Sequence, residues 1–252
     1  MSAVLEVSGV AVRFGGLQAL DGVSFAVEDG GATALIGPNG AGKTTCFNVI
    51  SGLQRPDAGS VRFAGRDVTR VAPHRHRGIG RTFQRVELVA GMTVRENVLL
   101  GYHRSLPGGL LRSGLGSRRR EHAARAEAAA RLEEVGLAAF ADRPAGTLPL
   151  GLQRLAELAR AEAQDPRLLL LDEAASGLAT EEMERLVERV QAARRRGCAV
   201  LLVEHNMRFV SRIVERVVVL RYGRVIFDGT LADGMRDPAV MDAYLGQEQA
   251  VA

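Results

Sequence analysis

Tryptophan is absent from this 252-residue chain, aromatic residues make up only 4%, and lysine occurs once, at Lys43. The other 32 cationic residues are arginines, which makes the position of the one lysine worth explaining. Cysteine is nearly missing as well. Two thiols, Cys46 and Cys198, exclude a disulfide scaffold and imply a reducing compartment. No run of about 18 apolar residues is present, which excludes a membrane-spanning helix. The start, MSAVLEVSGV, has neither the basic end nor the long apolar stretch of a signal peptide. Net charge is +4, a mild excess carried on arginine, with a pI near 9.6. What remains, 46% hydrophobic and 25% charged, is the balance of a globular protein, expected in the cytosol.

The chain reads in three parts. Strand-like runs occupy residues 4–7, 10–14, 24–27 and 32–36, followed by a short helix at 44–50 that Gly52 closes. A hairpin is expected at 59–63 and 67–68, turning at Ala64 and Gly65. From about 94 to 164 the composition shifts to Ala, Arg, Glu and Leu, with a helix expected over 121–134. A Gly/Ser/Pro-rich stretch, 105–117, reads as a mobile loop. Arg118, Arg119 and Arg120 behind it read as a solvated helix start, because no aromatic residue is interleaved as a nucleic-acid contact would need. The last third returns to α/β: an apolar run at 168–171, a helix at 181–196, strands at 199–203, 217–220 and 224–227, and a turn at Tyr222 and Gly223. The expected organisation is one domain, residues 1–252. Its α/β core spans about 1–84 and 166–232, with a helical insertion at 85–165 and a tail at 233–252 that carries a short helix.

Lys43 lies in Gly37-Pro38-Asn39-Gly40-Ala41-Gly42-Lys43-Thr44, which fits the phosphate-binding pattern G-x-x-x-x-G-K-[ST] between a strand and a helix. Glycines let successive backbone N–H groups curl around phosphates, and the helix behind presents its positive end. Lys43 neutralises the outer phosphates, and the Thr44 hydroxyl, beside Thr45, is suited to Mg²⁺. Such a loop needs a carboxylate at the end of a neighbouring strand, and the run 168–173 supplies Asp172 for the metal and Glu173 as general base. A guanine-reading Asn-Lys-x-Asp box is excluded because there is no second lysine. Adenine is therefore expected, with Phe14 as its stacking platform unless that ring is an ordinary core residue.

Taken together, these residues resemble the ATP-binding subunits of ABC transporters over nearly the whole chain. Arg81-Thr82-Phe83-Gln84 resembles the Q-loop, whose glutamine reaches Mg²⁺ and the attacking water. Residues 148–154, LPLGLQR, stand where the family has its LSGGQ signature, so Pro149, Gly151 and Leu152 are expected to meet ATP bound by a partner subunit. Ser176-Gly177-Leu178 resembles the D-loop, and His205 the switch histidine. The segments RFGGLQAL, TVRENVLLGYH and AYLG resemble branched-chain amino acid importers in particular. The resemblance implies a P-loop NTPase core of ABC type, with an N-terminal antiparallel β region and an inserted α-helical subdomain. It also implies ATP and Mg²⁺, a second ATP-binding subunit of the same or a sister chain, membrane permease subunits, and, through them, a solute-binding protein. The expected location is peripheral, on the cytoplasmic face of the inner membrane, and residues 84–96, especially 86–92, are the expected docking segment. No nucleic-acid partner is expected.

Four departures stand out: Pro149 for the signature serine, Leu150 for its first glycine, Ala174 for a usual proline, and Ala179 for a polar D-loop residue. They leave room for two other readings, an ABC-type ATPase of DNA repair or translation and an ATP-holding regulatory module. The first lacks a second cassette or long coiled coil, and Glu173 with His205 argues against the second.

Overall fold

The computed structural model describes residues 2–102, 115–163 and 165–248, without the side chains of 115–121 and 244–248. A long hairpin opens the fold: β1 (Ala3–Phe14) pairs antiparallel with β2 (Leu17–Glu28). Then follow β3 (Ala32–Ile36), α1 (Lys43–Ile50), β4 (Ala58–Phe63), β5 (Arg66–Asp67) and β6 (Ile79–Arg81). Among the described residues, the middle of the chain carries α2 (Val94–Tyr102), α3 (Leu115–Glu134) and α4 (Leu150–Glu162). The chain returns through β7 (Leu168–Asp172), α5 (Thr180–Arg195), β8 (Ala199–Val203), α6 (Met207–Ile213), β9 (Arg216–Arg221) and β10 (Arg224–Thr230). It closes with α7 (Leu231–Gly234) and α8 (Pro238–Glu248).

The strands form two sheets. One is antiparallel, in the order β2-β1-β4-β5; the other runs β10-β9-β3-β8-β7-β6, parallel except for β10 at its edge. The near-continuous apolar runs of β3, β7 and β8 follow from burial on both faces. Alternate residues divide between two cores: Leu169, Leu171, Val200 and Leu202 face the helices, while Leu168, Leu170, Ala199 and Leu201 face α1 and the antiparallel sheet. The insertion is tied to the core by charge as well as by apolar contact. Buried Glu162 of α4 pairs with Arg189 of α5, which also reaches Glu134 of α3 at 2.6 Å.

Several expectations need correcting. The break expected between residues 7 and 10 is a register shift within one strand, with Gly9 at φ +60 absorbing the extra residue as a bulge. Helix α3 starts at Leu115 rather than residue 121, because a Gly and a Ser in its first turn do not outweigh the helix formers behind them. Residues 115–117 are therefore helical, and the rest of the expected mobile loop, 105–114, lies outside the described residues. Arg118, Arg119 and Arg120 are within α3, with their side chains outside the description. Helix α4 begins at Leu150, within the stretch that stands in the signature position, with Pro149 at φ −53 as its N-cap. Both cysteines are free and buried, and burial pushes each thiol up to about 12.

Candidate functional site

The parallel strands β3, β8 and β7 lie side by side and end at one edge, where an open α/β sheet places its ligands. Each end carries one of the expected groups: the loop Gly37–Gly42 after β3, Asp172 and Glu173 at the end of β7, and His205 after β8. Only glycine fits two of the loop positions. A Cβ on Gly37 (φ +144) would stand 2.1 Å from the Leu220 carbonyl oxygen, and one on Gly42 (φ +104) 2.6 Å from that of Ala19. Pro38, Asn39, Gly40 and Ala41 complete the turn, and Lys43, Thr44 and Thr45 open α1.

The Lys43 ammonium is buried and donates to the carbonyls of Gly37 (2.6 Å) and Pro38 (2.9 Å), so it lies across the mouth of its own loop. Burial lowers its pKa, while the carboxylates of Glu173 and Asp172 hold it up. An ammonium facing two carboxylates over a glycine cradle is the donor set that a nucleoside triphosphate with its divalent cation requires.

Asp172 is 2% exposed, and burial raises its pKa against the pull of Arg81. The Arg81 guanidinium lies 3.3 Å from Asp172 Oδ2, donates to Asn48 Oδ1 at 2.9 Å and stacks 4.8 Å over the Phe83 ring. Its own backbone belongs to β6, so it ties the Asp172 carboxylate to α1 and to the residues that follow β6. Glu173 takes a left-handed conformation, φ +48, unusual for a residue with a side chain. Its N–H donates to the Val203 carbonyl at 2.8 Å. The Gln84 amide donates to Glu173 Oε2 at 3.2 Å, and His205 Nε2 stands 3.6 Å from Oε1. The expected base, glutamine and histidine therefore meet on one carboxylate. Buried Glu204 braces both neighbours, accepting from the N–H of Ala175 (2.7 Å) and of His205 (3.3 Å).

Phe14, at the end of β1, is 49% exposed, which rules out its reading as a core residue. It shares a hairpin with Ala19, whose carbonyl abuts Gly42. Pro149, Gly151 and Leu152 sit at the start of α4. Sequence reasoning missed four groups here: Arg81, Arg154, Glu204 and Glu182. Arg81 and Arg154 lay inside motifs quoted for other residues, and nothing in their spacing distinguished a buried arginine from an exposed one. Glu204 follows the apolar run 199–203 and Glu182 lies in the helix expected at 181–196, and neither belonged to a motif.

A family profile described as "ABC transporter" matches residues 20–176. The chain belongs to the ABC transporter family. Among relatives of this ABC cassette is the high-affinity branched-chain amino acid transport ATP-binding protein BraF of Pseudomonas aeruginosa. It is 42% identical across 97% of this chain and 98% of that protein. A nucleotide-free ATP-binding cassette from an ABC transporter superposes with a TM-score of 0.85 at 32% identity, over 96% of this chain and 99% of that one. A dimeric, post-hydrolysis ATP-binding cassette bound to ADP and phosphate superposes at 0.76 and 25% identity, over 90% of this chain and 98% of that one. As an ABC cassette the chain is an ATPase, with a P-loop core, an antiparallel β region and inserted helices. Among the described residues no helix is long and apolar enough to cross a membrane.

Proposed function

We propose that this chain is the ATP-hydrolysing subunit of an importer for branched-chain amino acids or a related small solute, held on the cytoplasmic face of the membrane by its permease partners. The resemblance to BraF supports the solute class. The observation that carries the chemistry is the convergence of Gln84 and His205 on Glu173, opposite Lys43.

Lys43, with the loop amides from Gly37 to Gly42, binds the outer phosphates of ATP, and Phe14 stacks on the adenine. When bound, Mg²⁺ supplies charge neutralisation at the phosphates, and Thr44, Asp172 and Gln84 are the residues fitted to hold it. Glu173 accepts the proton of the attacking water as general base. Gln84 and His205 keep its carboxylate oriented, and His205 donates towards the outer phosphate. Pro149, Gly151 and Leu152 present the amino end of α4 to ATP held by a second subunit, so that nucleotide joins two chains. A carboxylate so oriented supports turnover over a merely nucleotide-holding module.

A cleft of about 330 Å³ between the core and the insertion, lined by Leu53, Ile79, Phe83, Leu100 and Ala161 among others, supports docking of a permease segment. It lies beside the segment 84–96, where Val89 is exposed while Leu88 packs inward on the core. Coupling then runs from the permease through Gln84 to Glu173.

Light scattering on size-exclusion fractions of Glu173→Gln, with and without Mg·ATP, tests the reading. An ATP-dependent dimer is expected. A chain that binds ATP yet stays monomeric overturns the same-chain sandwich of the isolated protein and points to closure with a sister subunit or on the membrane partners.

A further inference from the structure

Gly151 is the second residue of α4, and it is buried against a charge. A Cβ built on it would stand 1.9 Å from the Glu182 carboxyl carbon and 2.0 and 2.1 Å from its two oxygens. The φ of Gly151 is not left-handed, so the backbone does not demand glycine here; an added Cβ would instead have to displace the Glu182 carboxylate from its bond to the Ala179 N–H. Glu182, in the first turn of α5, is itself held. Its Oε2 accepts the Ala179 N–H at 2.9 Å, the half of a capping box that survives although Ala179 has no acceptor of its own to return. One residue earlier on α4, Leu150 lies against the D-loop. A Cβ on Gly177 would meet Leu150 Cδ2 at 3.2 Å.

These two contacts join the start of α4 to the segment that follows Glu173. That segment is short and anchored, with Ser176 N–H donating to the Glu173 carbonyl at 3.1 Å and Ala175 N–H to Glu204. At the same end of α4 the first amides have no intrahelical acceptor, since the first helical bond runs from Gln153 N–H to the Pro149 carbonyl. A carboxylate beside those amides is electrostatically favoured.

We propose that Glu182 is a positioning residue. Its carboxylate, seated on the bare Cα of Gly151, sets the α4 amino end relative to the loop carrying Glu173, so that the segment meeting one nucleotide and the base acting on the other move as one piece. This rests on the reading above that α4 meets a second subunit's ATP. Gly151 is then a glycine because of Glu182 within its own chain, and not only because of a nucleotide outside it.

The test is a double-mutant cycle in the Glu173→Gln background, comparing Gly151→Ala, Glu182→Ala, their combination, and Glu182→Gln. Thermal midpoint without nucleotide, Mg·ATP binding by the isolated chain, and the ATP concentration giving half-maximal dimer are read for each. Gly151→Ala is expected to lower the midpoint and to raise the half-maximal ATP about tenfold, while leaving ATP binding by the isolated chain within about twofold. Adding Glu182→Ala makes room for the new methyl group and brings both values back towards the parent. Glu182→Gln, which keeps shape and acceptor, behaves as the parent.

A combined variant no better than Gly151→Ala overturns the proposal, because the methyl group then meets something other than Glu182. If Gly151→Ala does not fold, recovery of folding in the combined variant supports the contact and its failure overturns it. If the parent itself does not dimerise with ATP, the sandwich reading fails separately. The thermal midpoints then decide alone: additive changes overturn the contact, and mutual relief sustains it.

Discussion

The Arg154 guanidinium donates at 2.7 Å to the backbone carbonyl of Gln84, the residue whose side-chain amide reaches Glu173. A second bond from the same side chain goes to the Phe83 carbonyl at 2.8 Å, and one helical turn on, the Glu157 carboxylate accepts the Glu87 N–H at 3.0 Å. Both side chains are buried, so helix α4 grips residues 83–87 through their backbone while the Gln84 side chain reaches Glu173.

This grip has a measurable consequence. Arg154→Ala releases two carbonyls and leaves buried Glu157 with Arg160, at 3.6 Å, as its remaining arginine partner on α4. Turnover is expected to fall by about tenfold, in line with the loss of one buried charge-assisted interaction. ATP binding, which depends on the P-loop, is expected to stay near the parent value. Steady-state ATPase assays alongside equilibrium ATP titration check this, and an equal loss in both would show that Arg154 supports the fold at large.

Glu173→Gln is expected to keep ATP binding and to lower turnover by about a thousandfold, the range that a positioned general base supplies. Lys43→Ala is expected to act on the other quantity. Removing the only ammonium costs about tenfold or more in ATP affinity, as loss of hydrogen bonds from a charged donor does. Equal turnover in Glu173→Gln and the parent would exclude Glu173 as the base.

Phe14→Ala tests the adenine platform. The ring is half exposed, so its removal leaves the core packing intact and the thermal midpoint close to the parent. ATP affinity is expected to weaken about five- to tenfold, the worth of one aromatic stacking contact of about 1 kcal/mol. Unchanged affinity would place the platform on another residue.

Arg81→Ala couples stability to pH. The pair of Arg81 and Asp172 is buried, and removing one partner leaves a buried carboxylate, at a cost of about 3 kcal/mol. Burial already raises the Asp172 pKa, and Arg81 opposes that shift, so the variant raises it further. A carboxyl whose folded pKa exceeds its unfolded one binds its proton more tightly when folded. The deficit of the variant is therefore smallest at acid pH, where Asp172 is protonated in both states, and grows as pH rises through the folded value. Urea unfolding midpoints measured from pH 4 to 8 check this, and a deficit independent of pH would show that Asp172 is not the group left unpaired.

Most of the site was legible in the order of residues, because its chemistry is local. A phosphate cradle needs glycines, an ammonium and a helix start in one unbroken segment, and Gly37 to Thr45 carries all of them. Likewise Asp172 and Glu173 follow a four-leucine run that only a doubly buried strand explains. The sheet was legible in the same way, since burial on both faces writes itself as an uninterrupted apolar run. The helical insertion was less so. Its boundary at Leu115 and the start of α4 at Leu150 depend on neighbours that propensity alone does not weigh.

Only the folded chain decided who stands beside whom. Gln84 and Glu173 are far apart in sequence, as are Gly151 and Glu182, and their contacts depend on the register of β6 beside β7 and the packing of α4 on α5. The sequence by itself determined that a phosphate-binding glycine loop opens a helix and that two adjacent carboxylates end a doubly buried strand. Tertiary structure decided that Arg81 pairs with Asp172 and that Gln84 and His205 meet on Glu173, because pairing across the fold is set by strand order and helix packing, for which no local pattern exists.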